Sequence, residues 1–128
     1  MKKQIGLWID HRETIIVAIG DQGEETRRIE SGMEKHVRFS YGSGSEAGST
    51  EDGRDRQFTD HLNSYYDKVI SNIRDAESIL IFGPGEAKGE LETHLESKRL
   101  DERIVSVETV DEMTDRQISA KVRQHFQK

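Results

Sequence analysis

The residues with the most chemical promise are Gly83-Pro84-Gly85-Glu86-Ala87-Lys88. The apolar run Ser78-Ile79-Leu80-Ile81-Phe82 leads into them, and a helical pattern leads out. A strand, a tight turn and a helix N-terminus in that order aim backbone N–H groups and the positive end of a helix dipole at one place. Such a corner suits a phosphate or another anion. Lys88 adds a positive charge one turn into the helix. The spacing Gly-x-x-x-x-Gly-Lys-Ser/Thr is not met, so this is no P-loop. The same residues also read as plain architecture. Pro84 fixes φ, the glycines relieve crowding, and Glu86 would repel a phosphate.

Asp10-His11-Arg12-Glu13 is the second group with possible chemistry. With Glu108 and Asp111, its carboxylates would suit a metal-dependent phosphodiesterase or phosphatase, a chemistry that needs several convergent acids. Their spacing carries no metal signature. A polar hairpin turn, with Asp10 accepting nearby backbone N–H groups, is the simpler reading. His11, His36, His61, His94 and His125 form no His-x-x-x-His pair, so they give no metal motif. No Gly-x-Ser-x-Gly elbow occurs, and Ser43 and Ser45 fall in a Gly/Ser-rich stretch without the rigid support a nucleophile needs. No catalytic residue, metal ligand or cofactor is assigned.

Arg54 and Arg56 stand where a helix opens beside that stretch. A solubilising helix start is the simple reading; cations there oppose the helix dipole, which slightly favours a phosphate contact instead, although Glu51, Asp52 and Asp55 largely neutralise them. Trp8, Tyr41, Tyr65 and Tyr66 would stack on bases if exposed. Trp8 falls in a strand, however, and Tyr65 and Tyr66 fall beside an apolar helix stripe, so packing is the simpler role. Arg27, Arg28, Lys35 and Arg38 form a modest basic patch, for which a solvated face is the simpler reading. The candidate anion or RNA contacts are therefore Arg54, Arg56, Gly83, Pro84, Gly85 and Lys88.

The elements that must position these residues follow from periodicity. Ile5–Ile9, Thr14–Ile19 and Glu24–Ser31 read as three strands joined by polar turns, with a fourth short strand around His36–Phe39. Residues 40–56 form a Gly/Ser-rich, polar loop, too poor in apolar groups to offset its ordering entropy. From Arg54, Phe58, Leu62, Tyr65 or Tyr66, Val69 and Ile73 recur at helical spacing. Glu77–Phe82 is a nearly all-apolar strand, which predicts a central position covered on both faces. Ala87, Leu91 and Leu95 mark the next helix, and Arg103–Val107 the next strand. The last helix has the clearest start: Thr114 and Gln117 spell a capping box, and Met113 with Ile118 a hydrophobic staple. Ile118, Val122 and Phe126 form its stripe. The result is an α/β fold, an antiparallel meander followed by α-β-α-β-α around one mixed sheet, in a ribonuclease H-like arrangement.

The 128 residues suit one domain, 1–128. Hydrophobic residues make up 32% and charged residues 34%, an apolar share that is low for a globular protein and whose deficit lies in the loop. A net charge of −6 argues against indiscriminate nucleic-acid binding, and no DNA partner is expected. Thr114–Lys128 nevertheless carries Arg116, Lys121, Arg123 and Lys128 against Asp115. There is no cysteine, hence no disulfide or thiolate metal site. No signal peptide or spanning run is evident, so the expected location is the cytoplasm, away from membranes.

The element order, with Gly83-Pro84-Gly85 and Lys88 after an apolar strand, resembles the central domain of Pelota and of archaeal and eukaryotic class-one peptide-chain release factors. Gly6-Leu7-Trp8-Ile9-Asp10-His11-Arg12 and Val107-Glu108-Thr109-Val110-Asp111-Glu112-Met113-Thr114-Asp115 are similar to short bacterial proteins that carry such a domain alone. In release factors the loop before the long helix carries Gly-Gly-Gln, whose glutamine serves peptidyl-tRNA hydrolysis. Here residues 40–53 hold glycines but no Gly-Gly-Gln, and Gln57 follows Arg56. The resemblance implies a translation-linked domain that binds the ribosome or tRNA without termination chemistry. Arg54 and Arg56 take the place that in the family lies near the tRNA end. A protein-interaction or dimerisation module remains the other non-enzymatic reading.

Overall fold

The structure, a computed structural model, describes residues 3–21, 23–32 and 51–126, with backbone alone for 51–59. Its elements are β1 (Gln4–Ile9), β2 (Glu13–Gly20), β3 (Gly23–Glu30), α1 (Glu51–Ser71), β4 (Ser78–Gly83), α2 (Ala87–Ser97), β5 (Ile104–Thr109) and α3 (Asp115–Phe126). A short 3-10 turn, Asp101–Arg103, precedes β5. The strands form one sheet in the order β3-β2-β1-β4-β5. β1 runs antiparallel to β2 and parallel to β4, and β4 runs parallel to β5. The expected α/β fold, a meander followed by α-β-α-β-α, is what forms.

Alternation sorts the core into two layers. On one face Ile5, Leu7, Ile9, Ile16, Ile79 and Ile81 pack with Tyr65, Tyr66 and Val69 of α1 and with Ala87, Leu91 and Leu95 of α2. On the other face Trp8, Ile15, Val17, Leu80 and Phe82 pack with Ile118 and Val122 of α3. Ile79 to Gly83 of β4 are all buried, because apolar layers cover both sides of this strand. Gly6 lets α3 approach: a Cβ there would overlap the Val122 side chain.

One boundary differs from the sequence reading. α1 begins at Glu51, so residues 51–56, expected in the loop, are helical. The acids Glu51, Asp52 and Asp55 occupy the first turns of a helix, where negative charge is favoured, and this offsets the single Gly53. Residues 40–50, the expected strand at 36–39, Lys35, Arg38 and Tyr41 lie outside the described residues, as does the Phe58 side chain. The register of β4 and β5 shifts between Ile79 and Leu80, which pair with Ile104 and Ser106. Val105 is left as the extra residue of a bulge, and it is 49% exposed.

Candidate nucleic-acid interface

In open α/β sheets the crevice outside the carboxyl ends of parallel strands is where loops converge. Here β1, β4 and β5 end together. The Val110 N–H donates to the Gly83 carbonyl at 3.1 Å, and the Trp8 indole Nε1 donates to the Asp111 carbonyl at 3.4 Å. At Gly83 a Cβ would overlap the Ile9 carbonyl oxygen, so the close approach of β1 and β4 requires glycine. Gly85 takes a φ of 64°, the left-handed conformation that closes the turn before α2. The Lys88 ammonium folds back and donates to the Gly85 carbonyl. Glu86 stands at the N-cap of α2 with no side-chain cap hydrogen bond. The corner is thus a braced turn, and its lysine is tied to its own backbone.

The Asp10–Glu13 hairpin packs beside it. Asp10 Oδ1 accepts the backbone N–H groups of Arg12 at 2.8 Å and Glu13 at 2.9 Å. That is the turn role. Glu13 pairs with Arg28, and Glu108 accepts from Lys121 at 2.8 Å and from Ser106 at 3.3 Å. Lys121 holds the Glu108 carboxyl below its ordinary range and sits 5.4 Å from the Phe82 ring centroid. Among the described residues no three His, Asp or Glu side chains gather as metal ligands. The geometry therefore gives the metal-dependent hydrolase reading no support.

A polar network that sequence reasoning missed ties the hairpin to α1 and α2. Tyr65 is buried, and its hydroxyl donates to the Asp10 carbonyl at 3.0 Å. With that proton committed, the buried Thr14 hydroxyl must be the donor in the 2.6 Å bond between them. The Tyr66 hydroxyl donates to Glu90 Oε1 at 2.5 Å, and His11 Nε2 lies 3.0 Å from the same oxygen. The His94 ring lies 5.1 Å from that of Tyr66. Burial pushes both phenols well above their ordinary titration range; the bond to Glu90 adds to the shift at Tyr66. His61 Nε2 donates to the Ser31 carbonyl, and Ser31 Oγ donates to the His11 carbonyl at 2.7 Å. No local motif announces His11, His61, His94 and Glu90 as neighbours.

The structure separates what the sequence grouped as a basic patch. Arg27 and Arg28 are consecutive in β3, so they point to opposite faces. Arg27 meets Asn72 at 2.8 Å and Glu25 at 3.0 Å, whereas Arg28 bridges Glu13 and Asp115. Trp8, Tyr65 and Tyr66 are all buried and present no stacking face.

Arg54 and Arg56 belong to the first turns of α1; their side chains lie outside the described residues. The direction of α1 is nevertheless fixed. Tyr65 reaches the carboxyl end of β1 at Asp10. The segment following α1 reaches the amino end, where Lys3 pairs with Asp75 and the Glu77 N–H donates to the Lys3 carbonyl. At 1.5 Å per residue the helix axis carries Arg56 about 14 Å and Arg54 about 17 Å beyond the level of Tyr65. The start of α1 therefore projects past the same end of the sheet as the Gly83–Lys88 corner.

No protein-family model matches the sequence, and no curated protein matches it. Solved structures do resemble it. The Pelota protein of Thermoplasma acidophilum superposes with a TM-score of 0.59 at 18% identity, over 96% of this chain and 32% of that one. Pelota of Archaeoglobus fulgidus gives 0.59 at 11% identity, over 97% and 31%. The archaeal translation termination factor aRF1 gives 0.58 at 10% identity, over 95% and 34%. This chain spans about a third of each neighbour's length. At such identities the likeness is one of fold, and at that level the resemblance of this chain to a domain of Pelota and the release factors holds over nearly its whole length.

Proposed function

We propose that this chain is a non-catalytic, translation-associated domain that docks on the ribosome or on tRNA. The observation that carries the reading is the fold shared with Pelota and aRF1 over 95% or more of the chain. The docking end would be the one where the parallel strands finish. Gly83, Pro84 and Gly85 offer a rigid backbone corner there, with Lys88 beside it, and the α1 start brings Arg54 and Arg56 to the same end. The role is one of recognition, because the sequence lacks Gly-Gly-Gln and the carboxylates near the corner are engaged in turn and ion-pair contacts. It calls for no cofactor, and it places the chain in the cytoplasm with the ribosomes.

Binding that relies on a few phosphate contacts weakens as salt rises. Co-sedimentation of the purified chain with ribosomes across a salt series tests this. The expected result is pelleting at low salt that fades with added salt and is reduced by Arg54→Ala with Arg56→Ala. A chain that stays in the supernatant at low salt contradicts the reading.

A further inference from the structure

β3 stands at an edge of the sheet among the described residues, and every residue from Gly23 to Arg28 is exposed. Its sequence over 24–28 is Glu-Glu-Thr-Arg-Arg. Read against a reversed copy of itself, this segment is charge-complementary about Thr26. Glu24 falls opposite Arg28, Glu25 opposite Arg27, and Thr26 opposite Thr26.

The backbone parity fits that register. β3 pairs with β2 so that Gly23 faces Gly20 and Glu30 faces Glu13. One step further along the same ladder, the Ser31 N–H donates to the Arg12 carbonyl at 2.8 Å. In an antiparallel pair, alternate residues aim their N–H and C=O at the same neighbour. The odd-numbered residues of β3 therefore serve β2, and Glu24, Thr26 and Arg28 aim theirs outward. A two-fold axis through Thr26 makes these three residues the hydrogen-bonding positions of a new antiparallel ladder. Alternation keeps the side-chain pairs on matching faces: Glu24 and Arg28 on the α3 side, Glu25 and Arg27 on the α1 side.

The geometry points to an isologous dimer in which β3 pairs antiparallel with β3 of a second copy, centred on Thr26, to form one sheet continuous across the two copies. Charges on an edge strand commonly prevent such pairing. Here their order favours it, because no like charges stand directly opposite in this register, whereas opposite charges do at four positions. Present partners do not block the change. Glu24 holds Arg123 at 2.9 Å, Arg27 holds Glu25 at 3.0 Å and Asn72 at 2.8 Å, and Arg28 holds Glu13 and, at 2.9 Å, Asp115, all at partly or largely exposed side chains. Each has capacity for a further partner across the two-fold. A contact of five residues per strand is short by the standard of stable interfaces, so the dimer is weak and salt-sensitive. The inference does not depend on the ribosome reading.

Sedimentation velocity on the full chain, at rising concentration and at low and high salt, tests it. The expected result is a concentration-dependent dimer at low salt that dissociates at high salt. Thr26→Pro removes one outward N–H per copy without touching the β2 ladder, and should raise the dissociation constant about tenfold or more. Glu24→Arg with Glu25→Arg, and Arg27→Glu with Arg28→Glu, should each give monomers whose mixture forms a heterodimer. Far-UV circular dichroism checks that every variant folds; where a charge variant fails, Thr26→Pro decides. A wild-type chain that stays monomeric at low salt overturns the proposal. So does a dimer that Thr26→Pro leaves intact, and so do folded charge variants that do not pair on mixing.

Discussion

At Gly83 a hydrogen atom in place of a side chain lets β4 pass the Ile9 carbonyl. Gly83→Ala pushes a methyl into backbone, which cannot rotate away as a side chain can. The expected loss is about 2–3 kcal/mol in urea unfolding, the upper part of the range for overpacking. Tyr65→Phe probes the neighbouring network. It leaves the Asp10 carbonyl and the buried Thr14 hydroxyl short of a partner, an expected loss of about 1–3 kcal/mol. The two buried phenols also set an alkaline limit. Their folded-state titration lies above the ordinary value of 10.0, so the neutral form is favoured by folding. That contribution is complete below 10.0 and declines as pH rises above it. Tyrosinate absorbance of Tyr65 and Tyr66 should therefore rise together with loss of near-UV ellipticity; ionisation of both in a still-folded chain contradicts the burial described. Glu108 works in the opposite sense. Lys121 depresses its folded value below the ordinary 4.5. The stabilisation is present above 4.5 and lost as pH falls through the folded value, and Glu108→Gln should flatten that part of the acid unfolding profile.

Element by element, the sequence showed most where one local pattern settles the matter. The capping box of α3 is one case. The Thr114 N–H donates to Gln117 Oε1 at 2.9 Å and the Gln117 N–H donates to Thr114 Oγ1 at 3.2 Å. Met113 and Ile118 join the same apolar layer. Thr114→Ala should lower stability by about 1 kcal/mol, measured by thermal unfolding. The all-apolar run of β4 likewise announced a strand covered on both faces. Where two signals compete, the pattern misleads: Gly53 and the Gly/Ser-rich residues before it hide a helix start that the acids at 51, 52 and 55 favour. The opposite faces of Arg27 and Arg28 follow from strand alternation and were legible once 23–30 was a strand. The Val105 bulge and the meeting of His11, Tyr66, His94 and Glu90 were not, because each depends on how separate elements dock. Gly6 and Val122 show the same limit. Nothing in the sequence tells that a strand glycine seats a valine from a helix more than a hundred residues away, yet Gly6→Ala should cost about 1–3 kcal/mol in chemical unfolding. Val122→Ala should recover part of that loss in the double variant, because the two sites touch.

The whole molecule has two chemically distinct ends. At one, the parallel strands finish against a braced glycine corner and a projecting helix start. At the other, Lys3 pairs with Asp75, and Arg27 binds Asn72 just past α1. A net charge of −6 lets phosphate be met only locally, so orientation decides the function proposed above. The chain contains no cysteine, which makes orientation measurable with single introduced thiols. A photo-crosslinker attached at Asp60→Cys or Glu86→Cys reports from the proposed docking end, and one at Ser71→Cys from the opposite end; all three positions are exposed. With ribosomes at low salt, the account predicts crosslinks to RNA from positions 60 and 86 and few from 71. Equal crosslinking from 71, or none from 60 and 86 while the chain is bound, would contradict it.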